Sequence, residues 1–247
     1  MPSYRIELHS HCQGDPVDRY LKHTIYELID RAVEVGLDAI AVTWHRKICS
    51  DTEAFAYGRS RNVLVIPGME ADVDRKHLIL LNVAEGDLPG ETTWEEVEAL
   101  RARKPEVFII APHPFYPHPC CLGKEINDHI DCIDAAEWCI VHVHWLPDRI
   151  SPNLRAERWA HRHGKTLIAC SDAHTLEAVG KNASTVEADA LTMEAIFAGL
   201  RARRVSFHRR SLQVGPLIHQ TGKALASQPR HIGRWMQARL SQPKVRV

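Results

Sequence analysis

The chain has 247 residues, 45% of them hydrophobic and 25% charged, with 31 Lys/Arg against 31 Asp/Glu. That balance is ordinary for a folded protein and excludes disorder, a collagen-like chain and a disulfide-knotted miniprotein. Set against a loose prior of ~150 residues per domain, the length fits one large α/β domain or two small ones.

The departure from the average is histidine, at 16 residues, which directs attention to metal or acid–base chemistry. No segment approaches the ~18 to 20 consecutive apolar residues that cross a bilayer, so no membrane partner is expected. The opening Met1-Pro2-Ser3-Tyr4-Arg5 lacks the basic-then-apolar layout of a secretion signal, and a cytoplasmic location is expected. The seven cysteines, at 12, 49, 120, 121, 132, 139 and 170, form an odd set without a Cys-x-x-Cys pair. Reduced thiols are therefore the expectation, rather than a disulfide framework or a cysteine-rich zinc finger.

Short apolar runs predict strands at Arg5–His9, Asp38–Thr43, Val63–Pro67, His77–Val83, Val107–Ala111, Ile133–Trp138, Thr166–Cys170 and, more weakly, Val205–His208. Between them, helical periodicity marks Thr24–Val35, Thr93–Arg103, Asn153–His163 and Thr192–Arg203. In the first of these helices Ile25, Leu28, Ile29, Ala32 and Val33 share one stripe and Gly36 provides a stop. This β-α alternation predicts an α/β fold, most economically a barrel of parallel strands ringed by helices. A doubly wound sheet competes, but the Gly-rich first turn of its nucleotide-binding form is missing.

From Ala195 to the end there are 11 Lys/Arg and no acid. The expected division is a barrel over 1–208 followed by a basic C-terminal extension over 209–247, weakly folded and rich in proline and glutamine. Such an extension could hold nucleic acid; the plainer expectation is a solvated tail, since it lacks interleaved aromatics.

The chemistry concentrates at strand ends. Glu7-Leu8-His9-Ser10-His11 closes the first strand, and alternation in an extended chain sends His9 and His11 to one face, where two imidazoles can grip one ion. Later strands end in Trp44-His45, Gly68-Met69-Glu70, Pro112-His113-Pro114 and Ser171-Asp172-Ala173-His174. In a parallel barrel all these ends open on one rim. His77 opens a strand instead, and a hairpin-like return after Glu70 would bring it back to that rim, while Asp15 can fold over the opening from its loop. The mixed imidazole and carboxylate set of His9, His11, Asp15, His45, Glu70, His77, His113, Asp172 and His174 suits Zn, Mn or Fe better than Mg or Ca. It is also too large for one ion, so two or three divalent metals are expected.

In order and spacing, His9-x-His11, Asp15, Thr43-x-His45, Gly68-x-Glu70 with His77, Pro112-His113-Pro114 and Ser171-Asp172-x-His174 resemble the motifs of the PHP (polymerase and histidinol phosphatase) superfamily of metal-dependent phosphoesterases. The resemblance runs from about residue 5 to about 208, and Ala111–Pro117 with Cys120–Lys124 is similar to a small stand-alone branch of it. It implies a distorted seven-stranded β/α barrel of the PHP type, TIM-like in outline. It further implies that His9, His11, Glu70 and Asp172 hold a first metal, Asp15, His45 and His174 a second, and Glu70, His77 and His113 a third. Two positions depart from the pattern: Glu7 and Trp44 stand where the family commonly has Asp, both in supporting rather than ligating places.

The reaction expected of this set is hydrolysis of a phosphomonoester or phosphodiester by a metal-bridging hydroxide, with Glu70, Asp172 and His113 as catalytic residues. No Gly-x-Ser-x-Gly elbow offers a side-chain nucleophile instead. Arg46, Lys124 and Lys181, with His142 and His144, are the expected contacts to a small phosphorylated substrate or nucleotide. His161 and His163 close a helix before Gly164 and are read as structural. Two alternatives stand beside this reading. One is an amidohydrolase-type metal hydrolase, for which a bridging lysine is not evident; the other is a non-catalytic nucleic-acid-binding or regulatory protein with a structural metal centre.

Overall fold

The structure is a computed structural model, and it describes residues 1–139, 147 and 150–209. The chain alternates strand and helix: β1 (Ser3–Glu7), α1 (Ile25–Glu34), β2 (Ala39–Val42), α2 (Thr52–Ser60), β3 (Leu64–Val73), β4 (Lys76–Leu81), β5 (Glu91–Thr92) and α3 (Trp94–Arg103). It continues with β6 (Phe108–Ala111), β7 (Ala135–Cys139), α4 (Pro152–Arg162), β8 (Thr166–Cys170), β9 (Ser184–Glu187), α5 (Met193–Arg201) and β10 (Val205–Phe207). The helix starts are written locally. Thr24 with Glu27 and Thr93 with Glu96 form capping boxes that satisfy first-turn N–H groups of α1 and α3. α1 then buries Ile25, Leu28, Ile29 and Ala32, the expected stripe apart from the exposed Val33.

Hydrogen bonding orders the sheet β10-β9-β1-β2-β3-β4-β6-β7-β8, with β5 joined to β3. β1, β2 and β3 run parallel, as do β6, β7 and β8. The wall β1–β4 plus β6–β8 is the seven-stranded α/β barrel, and its distortion has a definite origin. β3 runs on past Glu70 and turns back as β4, which pairs antiparallel with both β3 and β6. A wholly parallel barrel is thus corrected to one with an inserted hairpin, and the antiparallel β9 and β10 flank β1.

The sheet nearly closes on itself. Beyond the ends of β1 and β8, Ser10 and Ala173 form a parallel bridge, with His11 N–H donating to Ala173 O (2.9 Å) and Ala173 N–H donating to His9 O (3.2 Å). Between β8 and β9 a side chain replaces the ladder: Ala169 N–H donates to Ser184 Oγ (2.8 Å), whose hydroxyl donates back to Ala169 O (3.1 Å).

One hydrophobic cluster combines Ala41, Ile66, Ile79, Leu81, Phe108, Ile110, Ala135 and Ile168 with Ile196, Phe197 and Leu200 of α5. The register pairs Ala41 with Ile66, Ile79 with Ile110 and Ile110 with Ala135, so this is the inner face of the wall. Phe197 stacks on Phe108, the first residue of β6, at 5.1 Å between centroids. Helix α5 therefore fills the end of the barrel where the parallel strands begin. Two further clusters lie between the sheet and the outer helices.

No helix among the described residues is long and apolar enough to cross a membrane. The expected basic extension over 209–247 lies outside the described residues except for Arg209, which pairs with Glu157. His142 and His144 also lie outside them.

Candidate metal centre

At the end of the barrel opposite α5, the strand ends converge on Glu70. Its carboxylate is 1% exposed. Oε2 lies 3.2 Å from His9 Nε2, 3.4 Å from His11 Nε2 and 3.2 Å from His45 Nε2. Oε1 lies 2.7 Å from His77 Nδ1 and 3.4 Å from His113 Nε2. Five imidazoles from four strands thus face one carboxylate. The β3/β4 hairpin makes this possible for His77, which sits opposite Asp72 in the register and so returns to the rim.

Asp172 supplies a second acidic pole, its Oδ1 lying 3.3 Å from His9 Nε2, 3.6 Å from His11 Nε2 and 3.5 Å from His174 Nδ1. Asp15 works from behind. Its Oδ2 accepts from the backbone N–H of His45 (2.9 Å) and lies 2.9 Å from His11 Nδ1 and 3.0 Å from His45 Nδ1, which leaves both Nε2 atoms aimed at Glu70. Its Oδ1 accepts from Val17 N–H and Asp18 N–H.

All nine expected metal-site residues are therefore brought into one rim cluster, and three carboxylates join them: Glu7, at the supporting place expected of it, and Glu137 and Asp18, which the motifs do not reveal. Glu137 Oε1 accepts from His9 Nδ1 (3.0 Å) while its Oε2 accepts from His113 N–H (2.7 Å). Glu7 Oε1 accepts from Ser171 N–H (2.9 Å), the residue preceding Asp172. Asp18 Oδ2 lies 2.7 Å from His174 Nε2, and His11, Asp18, His45 and His174 form one group of close donor atoms. The signal for Glu137 was its place at the end of a buried strand, where a carboxylate needs a partner.

Two ligand-type residues have strained backbones: His113 at φ 32° and Asp172 at φ 47° occupy the left-handed region. The bonds from Glu137 and Glu7 to the adjacent amides hold them there, the kind of over-determination that keeps strain at a functional site.

Electrostatically the cluster is poised between charges. Burial works against ionisation of Glu70, but His77, His9, His45 and His11 outweigh it and hold the carboxyl well below the usual range. For Asp172 the opposition of burial is overcome in the same way by His9, His174, His11 and His113. Burial disfavours the imidazolium of His9, yet Asp172, Glu137 and Glu70 raise it well above the ordinary value. His11, against the same penalty, is raised to about 10 by Asp15, Asp172 and Glu70. Glu7 differs, because burial pushes it up to about 7 despite the Ser171 bonds.

Glu70 Oε1, His77 Nδ1 and His11 Nε2 are buried and lack an aligned hydrogen bond to any described residue, although Glu70 Oε1 and His77 Nδ1 nearly touch. Buried imidazole nitrogens and carboxylate oxygens that converge without an aligned hydrogen bond are donors a divalent cation can take up in place of protons, so the residues fit such an ion.

The expected substrate contacts are placed unevenly. Arg46 is paired with Asp72 and with Glu91 (2.6 Å), so its charge is already engaged. Lys124 is exposed on the turn after Gly123. Lys181 lines a separate cavity of about 250 Å³ with Arg5, Thr185, Phe207 and His208, none of them a member of the cluster. His161 is exposed and His163 caps α4 against Trp159, in keeping with structural roles.

Comparison with known proteins agrees with this geometry. A family model described as PHP-associated matches residues 151–205. A 95-residue stretch is 37% identical to a PolC-type DNA polymerase III of Caldanaerobacter subterraneus subsp. tengcongensis, covering 38% of this chain and 7% of the polymerase. The fold is similar, at a TM-score of 0.63 and 17% identity, to a two-domain protein from Bacteroides vulgatus containing a predicted PHP-like metal-dependent phosphoesterase, over 84% of this chain and 65% of that one. The chain is thus similar to a PHP-associated family over residues 151–205, and it shares its fold with a PHP-like protein. The likeness of fold extends to PsfC from Pseudomonas syringae, with a TM-score of 0.58 and 18% identity over 85% of this chain and 93% of PsfC. The same fold, at a TM-score of 0.52 and 17% identity, is found in an amidohydrolase from Chromobacterium violaceum, over 82% of this chain and 97% of that protein. The chain thus spans a small part of the polymerase and about two thirds of the Bacteroides protein.

Proposed function

We propose that this chain is a metal-dependent phosphoesterase of the PHP type that uses two or three Zn, Mn or Fe ions. The observation that supports it most is the five-imidazole shell around Glu70, with Asp172 beside it. Divalent ions in such a shell lower the pKa of a water towards neutrality and draw charge from phosphoryl oxygens. The chain's own residues do the rest. Glu70 can offer one oxygen to the His9, His11 and His45 side and the other to the His77 and His113 side, as its contacts already divide. Asp15 and Glu137 fix the ring orientations, so binding a cation requires little reorganisation. His174, whose side chain is 29% exposed, is the most open imidazole of the set, and with Asp18 it would hold an ion nearest the mouth, where a substrate phosphate enters.

The proposal extends to small phosphorylated substrates or nucleotides. The test is metal analysis of purified protein together with a panel of phosphomonoesters, phosphodiesters and short oligonucleotides, repeated on Glu70→Gln and Asp172→Asn. Hydrolysis of phosphoesters, lost with at least one ion in both variants, is the expected result. A second reading has one observation in its favour, the fold shared with the Chromobacterium amidohydrolase. Turnover of amides or lactones, with the phosphoester panel untouched, would transfer the assignment to it.

A further inference from the structure

The loop after β6 contains a second group of donors with different chemistry. Cys120 Sγ, Cys121 Sγ and a His113 nitrogen lie within 4.8 Å of one another. His113 Nδ1 is 3.3 Å from Cys121 Sγ, and His118 Nδ1 is 2.8 Å from Cys120 Sγ. Two sulfurs and one imidazole nitrogen thus form one group within nine residues of chain, His113 to Cys121, with the exposed His118 beside Cys120 at its edge.

The loop is held before any ligand arrives. Pro112, Pro114, Pro117 and Pro119 restrict its backbone. His77 N–H donates to Cys120 O (2.8 Å), Cys121 N–H to His118 O (3.0 Å) and Gly123 N–H to Pro114 O (2.7 Å). Lys76 Nζ adds bonds to Pro119 O (3.1 Å) and Cys121 O (3.2 Å). Access is open on one side, since His118 is exposed and Cys120 half-buried while Cys121 is buried.

We infer that Cys120, Cys121 and Nδ1 of His113, completed by the exposed side chain of His118 as it swings in from beside Cys120, form a thiolate site for one soft divalent ion, zinc in the first instance, adjoining the oxygen- and nitrogen-rich cluster around Glu70. A two-sulfur, two-nitrogen set is the composition of tetrahedral structural zinc sites, and thiolates select zinc or cadmium over magnesium, calcium and manganese. Binding displaces the two thiol protons to solvent, and the doubly anionic thiolate pair neutralises the ion. With Nδ1 on the ion, the neutral imidazole of His113 keeps its one proton on Nε2, which faces the acceptor Glu70 Oε1 at 3.4 Å, so this residue connects the two sites. The inference does not rest on the hydrolytic reading and stands or falls on metal binding alone.

The experiment uses the full chain, stripped of metal with a chelator and titrated with cadmium or cobalt(II). A sulfur-to-metal charge-transfer band should grow and saturate at one thiolate-bound ion per chain. The double variant Cys120→Ser/Cys121→Ser should lose the band and one ion while keeping the rest of its complement. In the wild-type protein, iodoacetamide should alkylate Cys120 in the stripped state, as located by peptide mass mapping, and zinc should suppress that labelling at least tenfold. Absence of the band, its survival in the double variant, or alkylation of Cys120 at the same rate with and without zinc would each overturn the site.

Discussion

Glu137 accepts a hydrogen bond from Nδ1 of His9 at 3.0 Å, both groups being fully buried, and thereby decides that Nε2 is the nitrogen left for a cation. Because the other oxygen of Glu137 holds the amide of the strained His113, one carboxylate sets the geometry of two ligand positions. Glu137→Gln keeps the shape but must turn an NH₂ towards one of two N–H donors. It is expected to weaken metal binding and hydrolysis about 10- to 100-fold, with little change in circular dichroism, as measured by competition with a chelating dye and by steady-state rates.

Asp15 and Asp18 are neighbours with different tasks. Asp15 is tied by backbone and imidazole donors from three directions, whereas Asp18 meets His174 at 2.7 Å with few other contacts. Asp18→Asn is therefore expected to lower metal content by about one ion with the melting temperature of stripped protein unchanged. Asp15→Asn is expected to lower that melting temperature as well. Equal behaviour of the two variants in metal analysis and calorimetry would contradict the division.

Stripped of metal, the cluster should give the protein a bounded pH range of stability. Its carboxylates, Glu70, Asp15 and Asp172, are depressed from ordinary values of 4.5, 3.8 and 3.8, so their contribution is present above those values and is lost as pH falls through the folded ones. His11 is raised from 6.5 to about 10, so its contribution is full below 6.5 and is lost as pH rises through about 10. Melting of chelated protein should thus be highest between about 4.5 and 6.5 and decline on both sides. Metal-loaded protein, which needs neutral imidazoles, should lose the alkaline decline. Thermal scans across pH with and without chelator measure both.

The floor of the barrel can be weakened without touching the rim. Phe197 of α5 is 2% exposed and stacks on Phe108. Phe197→Ala is expected to cost roughly 3–5 kcal/mol of stability, read by urea denaturation, while the folded fraction keeps its full metal content.

Much of this was legible before the structure, for a physical reason. Ligands at strand ends need only a short motif each, and His9-x-His11 or Ser171-Asp172-x-His174 carries its own geometry once the strand direction is known. Helix α1 was equally plain from its stripe and its Thr24 cap. Helix α2 was not, because it buries only Ala54 and Gly58 and so presents no apolar period. The strands β5 and β9 are too short and polar to stand out. Asp18 and Glu137 escaped notice because a group that acts through another residue needs spatial proximity, which leaves no spacing in the sequence, whereas Glu7 stood out only by its place in the first motif. Arg46 shows the converse: its type and position suggested a free cation, and Asp72 and Glu91 occupy it.

The bridge between Ser10 and Ala173 joins the segments that follow the first and the last parallel strand of the wall, beside His9, His11 and Asp172. A ribosome-bound chain accordingly offers an ion only partial sets, such as His9, His11 and Glu70, until residue 174 has emerged and the last parallel strand has docked beside the first. Filling of the complete rim then becomes a late event of maturation, and full occupancy serves as a readout of whether the whole circuit has been joined.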